Sequence, residues 1–372
     1  MVTIKQIAKA VGVSSATVSR VLNYDPALSI SPAKRQAVIE TAEALNYETP
    51  RNRNRGAKNG GARASGARGG QAPGSHPDDN RLPRLALVHF LEPSEELSDP
   101  YYIGVRLGIE NRCKDLKTEI IKVYHSDDLP SPALLQGATG VIVVGKHSAR
   151  EIDWLKPNSR HLVFADFNPR RDDIDCVFCD LGAATRGLLD NLDATGYQRI
   201  GFIGSFENID GHAEPYGEQR CRSYIDWCRE KGRFDEDLLV LGNICDSGQN
   251  LRLETGYMLA QKLLAVAPLP DAIVTANDNM AIGAYRAIQE AGLSIPEDIA
   301  VVSFNDIPVA QFMNPPLSTV RIGGEHVGEA AVDLLLEQIA GRDFNKKVII
   351  PTRMIWRQSS RAPEGQVPTS AE

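Results

Sequence analysis

Residues 3–23 read TIKQIAKAVGVSSATVSRVLN, and the spacing of their apolar side chains decides the first domain. Ile4, Ile7, Ala8 and Val11 recur at i, i+3, i+4 and i+7, one apolar face of a helix. Gly12 follows, where a chain can leave a helix through a left-handed residue without strain. Ser14 is placed to cap a second helix, with Val13 as a hydrophobic staple, and Val18, Val21 and Leu22 point inward. Ser15, Ala16, Ser19 and Arg20 are left on its outer face. A third helix opens with Ser31 as cap and Pro32 at its first position, and buries Val38, Ile39, Ala42 and Leu45 as a scaffold. Two short helices across a glycine turn form a helix-turn-helix, whose second helix fits the DNA major groove.

The outward residues have the matching chemistry. Arg20 can donate to guanine O6 and N7, Ala16 can touch a thymine methyl, and Ser15 lies beside them on the base-reading face. Thr3, Ser14, Ser19, Asn23 and Ser31 carry hydroxyl or amide groups near helix N-termini, suited to phosphate contacts that fix register. Beyond Tyr47 the chain reads ETPRNRNRGAKNGGARASGARGGQAPGSHPDDNRLP, a Gly/Arg-rich linker with no large apolar residue before Leu82. Arg51, Arg53 and Arg55 in it are expected to meet DNA phosphates or a narrow minor groove.

Working outward, the charge agrees. The chain has 372 residues, 41 Lys+Arg against 48 Asp+Glu, and 42% hydrophobic residues. Residues 1–83 hold 12 basic and 6 acidic side chains, whereas residues 84–372 hold 29 and 42. A cationic head on an acidic body predicts that only the head meets a polyanion. No apolar run approaches the roughly 20 residues that span a bilayer, and the N-terminus lacks a secretory h-region, so a cytoplasmic protein is expected. The six cysteines are scattered; Cys176 and Cys179 form a single CxxC inside a strand-like run and read as core thiols.

From residue 84 short apolar runs alternate with helical patterns. Strands are expected at Leu85–Phe90, Glu119–Tyr124, Gly140–Val144, Leu162–Ala165, Ile200–Ile203, Leu238–Leu241, Ala272–Thr275 and Ile299–Phe304. Near-continuous apolar strands separated by helices predict parallel sheets covered on both faces, as two α/β lobes in tandem. A ligand belongs at the C-terminal ends of such strands. There lie Asp99, Tyr101 and Tyr102 after the first strand, Asp166 after the fourth, Arg220 four residues before Tyr224, Asn277 with Asp278, and Asn305 with Asp306. Planar polar groups and aromatic faces are what a sugar requires. For Asp278 and Asp306 a capping role is expected instead. No GxSxG, GxGxxG, Walker or HExxH motif occurs, so catalysis, a cofactor and a metal are not expected.

TIKQIAKAVGVSSATVSRVLN resembles the DNA-binding head of the lactose/galactose repressor (LacI/GalR) family of bacterial transcription regulators. TANDNMAIGAYRAIQEAGLSIPEDIAVVSFNDIP and PPLSTVRI resemble that family's periplasmic-binding-protein-like sugar-binding core. The resemblance covers residues 2–47 closely and most of 84–357. It implies an all-α helix-turn-helix head (1–55), a flexible linker (56–83), a two-lobed α/β effector and dimerisation domain with parallel sheets (84–357) and a disordered tail (358–372). It implies a homodimeric repressor of a carbohydrate operon that binds operator DNA and a small sugar, with no membrane partner. DPYYIGVRLGIE, VIVVGKHS and RIGFIGS resemble the branch that governs β-galactosidase operons, which implies a galactoside. By motif position Asp166, Arg220, Asn277 and Asn305 would contact hydroxyls. The family's hinge leucine appears as Gly56, and glycine neither favours a helix nor wedges between bases.

Overall fold

In the computed structural model of the chain the described residues are 8–9, 11–22, 31, 34, 37–38, 41, 83–96, 99–124, 135, 137–205, 207–209, 212–214, 218–242 and 251–366. By its contacts the chain divides into two units, Met1–Pro77 and Asp78–Glu372.

In the first unit, helix α1 (Ser15–Leu22) forms where the spacing requires it. Gly12 has φ 69°, the left-handed turn residue. The Thr17 amide donates to Ser14 Oγ at 3.0 Å, so Ser14 caps the helix as expected. Val18 and Val21 are buried, as are Ala8 and Val38 from the flanking segments. Lys34 N donates to Ser31 Oγ at 3.4 Å, a longer version of the same cap. Thr3, Asn23, Arg51, Arg53, Arg55 and linker residues 56–82 lie outside the described residues.

The second unit has two lobes. The N-terminal lobe holds β1 (Arg84–His89), β2 (Glu119–Tyr124), β3 (Gly140–Val144), β4 (Leu162–Ala165), β5 (Asp175–Phe178) and β13 (Lys347–Ile349), in the order β13-β5-β4-β3-β1-β2. All five pairings are parallel. The C-terminal lobe holds β6 (Ile200–Ser205), β9 (Leu239–Gly242), β10 (Ala272–Thr275), β11 (Ala300–Asn305), β12 (Ser318–Arg321) and β14 (Arg353–Ile355), in the order β14-β12-β11-β10-β6-β9. It is parallel except for β12 with β14, and the short β7 (Glu207–Ile209) and β8 (His212–Glu214) pair antiparallel as a separate two-stranded sheet. Strand β3 is buried along its whole length, which its unbroken Gly-Val-Ile-Val-Val anticipates. The chain passes between lobes at residues 178–181, 321–324 and 349–353.

Helices cover both sheets, and they include α4 (Ala149–Asn158) and α5 (Leu181–Ala194). α3 (Pro100–Asp115), which follows the short α2 (Pro93–Glu96), packs on α9 (Gly324–Ile339); α7 (Leu253–Leu264) packs on α8 (Asp278–Glu290). A Cβ on Gly108 would lie 2.1 Å from Glu325 O, and one on Gly283 2.1 Å from Leu253 O. Each pair therefore touches backbone to backbone only because glycine stands there. Val327, Ala331, Leu334 and Leu335 bury α9 in the body.

Ordered structure extends past 357. The Ser359 hydroxyl donates to Val301 O and accepts from Ser318 N at 2.7 Å, so this serine stitches the chain's end to β11 and β12. The expected tail thus includes residues built into the C-terminal lobe. A short polar run with prolines hides this, because the partners of Ser359 lie 58 and 41 residues earlier in the chain and only the fold brings them to it. Cys176 and Cys179 are buried, and desolvation pushes their thiols up to about 11 and about 12, away from reactive thiolates.

Candidate functional site

Parallel strands deliver their C-terminal ends to one edge of each sheet, and most of the expected ligand residues lie there. In the N-terminal lobe β4 ends at Ala165 and Asp166 follows with φ 61°. Tyr101 Oη donates to Asp166 Oδ1 at 2.6 Å, and the Tyr102 hydroxyl also bonds this carboxylate. Burial raises the Asp166 carboxyl above its ordinary range, while the tyrosine hydroxyls, Lys146 and Arg220 pull it back. The rings of Tyr101 and Tyr102 meet edge to face at 5.1 Å, and Phe90 meets Tyr102 at 4.8 Å. Both tyrosines thus orient Asp166 rather than standing apart from it.

Asp99 caps α3 by accepting from Tyr101 N at 3.2 Å. Desolvation pushes its carboxyl up to about 6; neighbouring Asp166 adds to the rise and Arg220 opposes it. One strand over, Val144 of β3 pairs with Ala165, and Gly145 N donates to Ala165 O at 3.0 Å. Lys146 therefore leaves the sheet beside Asp166.

The C-terminal lobe contributes Arg220, in the first turn of α6 (Gln219–Glu230). Its Nε donates to Glu218 Oε1 at 2.8 Å, and another guanidinium nitrogen donates to Ala276 O. The guanidinium also sits 5.6 Å from the centre of the Phe304 ring. Glu218 in turn caps α6, accepting from Cys221 N at 3.1 Å. Both members of this ion pair are buried. Its charges act across the lobes: Arg220 holds down Asp99 and Asp166, while Arg220 and Lys146 hold Glu218 below the usual carboxylate range against its burial. At the rim Arg252 reaches Glu95 of α2 at 3.9 Å.

The other strand-end residues are occupied differently. Asn277 caps α8, accepting from Met280 N at 3.0 Å and donating to Leu251 O at 3.0 Å. Asp278 and Asp306, expected as caps, instead tie the lobe together. Asp278 accepts from Ile307 N at 2.8 Å and Thr319 Oγ1 at 2.7 Å. Asp306 pairs with Arg321 at 2.6 Å and Arg357 at 2.8 Å. Asn305 ends β11 with φ 112°, half-buried at the same edge. Sequence reading missed Lys146, Glu218 and Phe304; the rule that selected Asp166 would also have selected Lys146, two residues past a strand end. In the head Ser14, Ser15, Arg20 and Ser31 are exposed, while Ala16 and Ser19 lie within α1.

The fold and this cluster define a class: a two-lobed, periplasmic-binding-protein-like core joined in one chain to a helix-turn-helix unit. Comparison with known proteins narrows it. Residues 3–50 match the model of bacterial regulatory proteins of the lacI family, and residues 189–360 match a periplasmic binding protein-like domain. The transcriptional repressor MelR of Bacillus subtilis (strain 168) is 34% identical over 367 residues, covering 96% of this chain and 97% of its own. A lactose operon repressor of Rhizobium radiobacter is 70% identical over 110 residues, 30% of this chain and 97% of its own. A solved transcriptional regulator CelR–cellobiose complex superposes with TM-score 0.65 at 23% identity, covering 97% of this chain and 100% of its own. The chain belongs to the LacI family of bacterial regulatory proteins. It is a DNA-binding transcriptional regulator and not an enzyme.

Proposed function

We propose that this regulator represses a carbohydrate-utilisation operon and releases or tightens on its operator when a galactoside binds between the two lobes. The observation that carries the site is the convergence of Asp166, held by Tyr101 and Tyr102, with the buried Arg220 of the other lobe. Carboxylate, guanidinium and aromatic surface together are what paired sugar hydroxyls and a C–H face require. Asn277 and Asn305 add amides and Asp99 a further carboxyl. The likeness to a lactose operon repressor supports a galactoside over other sugars.

Ser15, Ala16 and Arg20 read base edges; Thr3, Ser14, Ser19, Asn23 and Ser31 hold phosphates; Arg51, Arg53 and Arg55 add contacts from the end of the head. The working division is head 1–55, linker 56–83 and body 84–357, in a cytoplasmic homodimer whose heads take half-sites about one helical turn apart. The sugar shifts operator affinity because it binds one lobe arrangement better than the other, with coupling of about 1–3 kcal/mol.

The test is an operator gel shift with and without lactose and galactose, using cellobiose as the competing sugar. A galactoside-dependent change in affinity of about fivefold or more is expected. A response to cellobiose alone overturns the galactoside, and no response to any sugar overturns the effector site.

A further inference from the structure

The side-chain caps Asp99, Ser148, Asp180 and Asn277 are short, and each accepts from an amide in the first turn of the helix it opens. Helix α6 departs from this and opens with Glu218, a residue type not favoured at a cap. The longer side chain has a second use. Oε2 accepts from Cys221 N at 3.1 Å, as a cap does, while Oε1 accepts from Arg220 Nε at 2.8 Å. Both side chains are buried. A terminal nitrogen of Arg220 donates to Ala276 O, and the Ala276 amide is itself bound to Ile203 O at 2.9 Å. The guanidinium carbon lies 5.6 Å from the centre of the Phe304 ring. The group is therefore fixed from α6, from the end of β10 and from β11. A guanidinium carries its five N–H donors in one plane, so holding Nε and one terminal nitrogen aims the donors that remain.

We propose that Glu218 is the positioning residue of the effector site: it sets the plane of the Arg220 guanidinium and so the angle at which Arg220 meets the effector. This rests on the reading that a sugar meets Arg220 between the lobes, but not on its being a galactoside. The physical reason is reach. Aspartate is shorter by one carbon–carbon bond, about 1.5 Å, so a carboxylate that stays on Cys221 N no longer arrives at Arg220 Nε. Glutamine keeps the length, and its carbonyl oxygen still accepts from Nε, although the charge and the second acceptor are lost. Two adjacent sugar hydroxyls need two N–H groups of one plane, so a tilted guanidinium loses bonds even where its charge is unchanged.

The test is calorimetry on the full-length protein with galactose, lactose and cellobiose, comparing the wild type with Glu218→Asp and Glu218→Gln. For whichever sugar the wild type binds, Glu218→Asp should weaken binding about tenfold or more, and Glu218→Gln no more than about threefold. A role in capping or in charge alone gives the opposite order, because aspartate keeps both. In an Arg220→Lys background, where the ammonium has no plane to set, adding Glu218→Asp should change affinity less than about twofold. Wild-type affinity in Glu218→Asp overturns the inference, as does a tenfold loss in Glu218→Gln. Either result decides alone where the other variant fails to fold. A full effect of Glu218→Asp in the lysine background also overturns it. These outcomes leave the sugar site standing, whereas a wild type that binds none of the three sugars removes the site and this role together.

Discussion

The two lobes place an aspartate after a buried strand in the same way, yet use it differently. Asp166 follows β4 and its carboxylate accepts from tyrosine hydroxyls, with the charges of Lys146 and Arg220 also favouring its ionised form. Asp278 follows β10 and its carboxylate turns inward to Ile307 N and Thr319 Oγ1. Asp278 is fully buried and Asp166 half-buried, yet desolvation raises both carboxyls above their ordinary range, so that shift does not separate a ligand residue from a framework residue. What separates them is the origin of the partners. Asp278 accepts its hydrogen bonds from Ile307 and Thr319 of its own lobe, whereas Asp166, held by Tyr101 and Tyr102, also feels the charge of Arg220 from the other lobe. The C-terminal lobe, having spent its strand-end carboxylates on internal ties, presents a cation instead.

The largest effect that would break this contrast is at Arg220. Arg220→Met leaves Glu218 buried without its main partner and removes the cation facing Asp166. Denaturant melts should show a loss of about 3–5 kcal/mol, and sugar affinity in the surviving folded protein should fall about 100-fold or more. A stable variant with unchanged affinity would mean the lobes do not use this charge. Next comes Asp278→Ala, which strands a buried amide and a hydroxyl. It should cost about 2–3 kcal/mol of stability while leaving the sugar dissociation constant of the folded protein unchanged. A selective loss of affinity would make Asp278 a ligand residue after all.

Smaller is a pH effect. Burial pushes Asp278 up to about 7 and Asp99 up to about 6, both above the ordinary 3.8. Each therefore binds protons more readily folded than unfolded. Their contribution to stability is complete below the unfolded value and is lost as pH rises through about 6 and 7. Thermal melts of the wild type should rise as pH falls from about 8 to about 5, and Asp278→Asn should flatten that slope. Glu151, held down to about 2 chiefly by His147 and Ser148 against its burial, acts oppositely and limits the gain in stronger acid. Smallest is Arg252→Ala at the rim. With Arg252 half-exposed and Glu95 at 3.9 Å, stability should move by no more than about 0.5 kcal/mol.

The sequence made some of this legible and hid the rest for physical reasons. Gly140–Val144 and Leu162–Ala165 could be read to the residue because burial on both faces removes every polar position from a strand. Ser14 and Gly12 could be read because a cap and a left-handed turn have few chemical solutions. Strands β12, β13 and β14 were not among the expected strands: each has three or four residues, and β13 and β14 are edge strands with exposed positions. Asp166 and Arg220 stood out by position, but the roles of Asp278 and Asp306 did not. Whether an Asx after a strand caps a helix, ties a lobe or faces a ligand depends on distant partners such as Thr319, Arg321 and Arg357. Lys146 was passed over because a lone lysine in a loop resembles solvated surface until the register sets it beside Asp166.

The central claim is that charges meeting between the lobes sense a sugar and thereby alter the hold of the head on DNA. It is tested most directly by fluorescence anisotropy of labelled operator bound to the wild type and to Arg220→Met, titrated with lactose and galactose. The account predicts a saturable change in operator affinity for the wild type, and none at the same concentrations for a folded Arg220→Met that still binds operator. An identical sugar response in both proteins would contradict it.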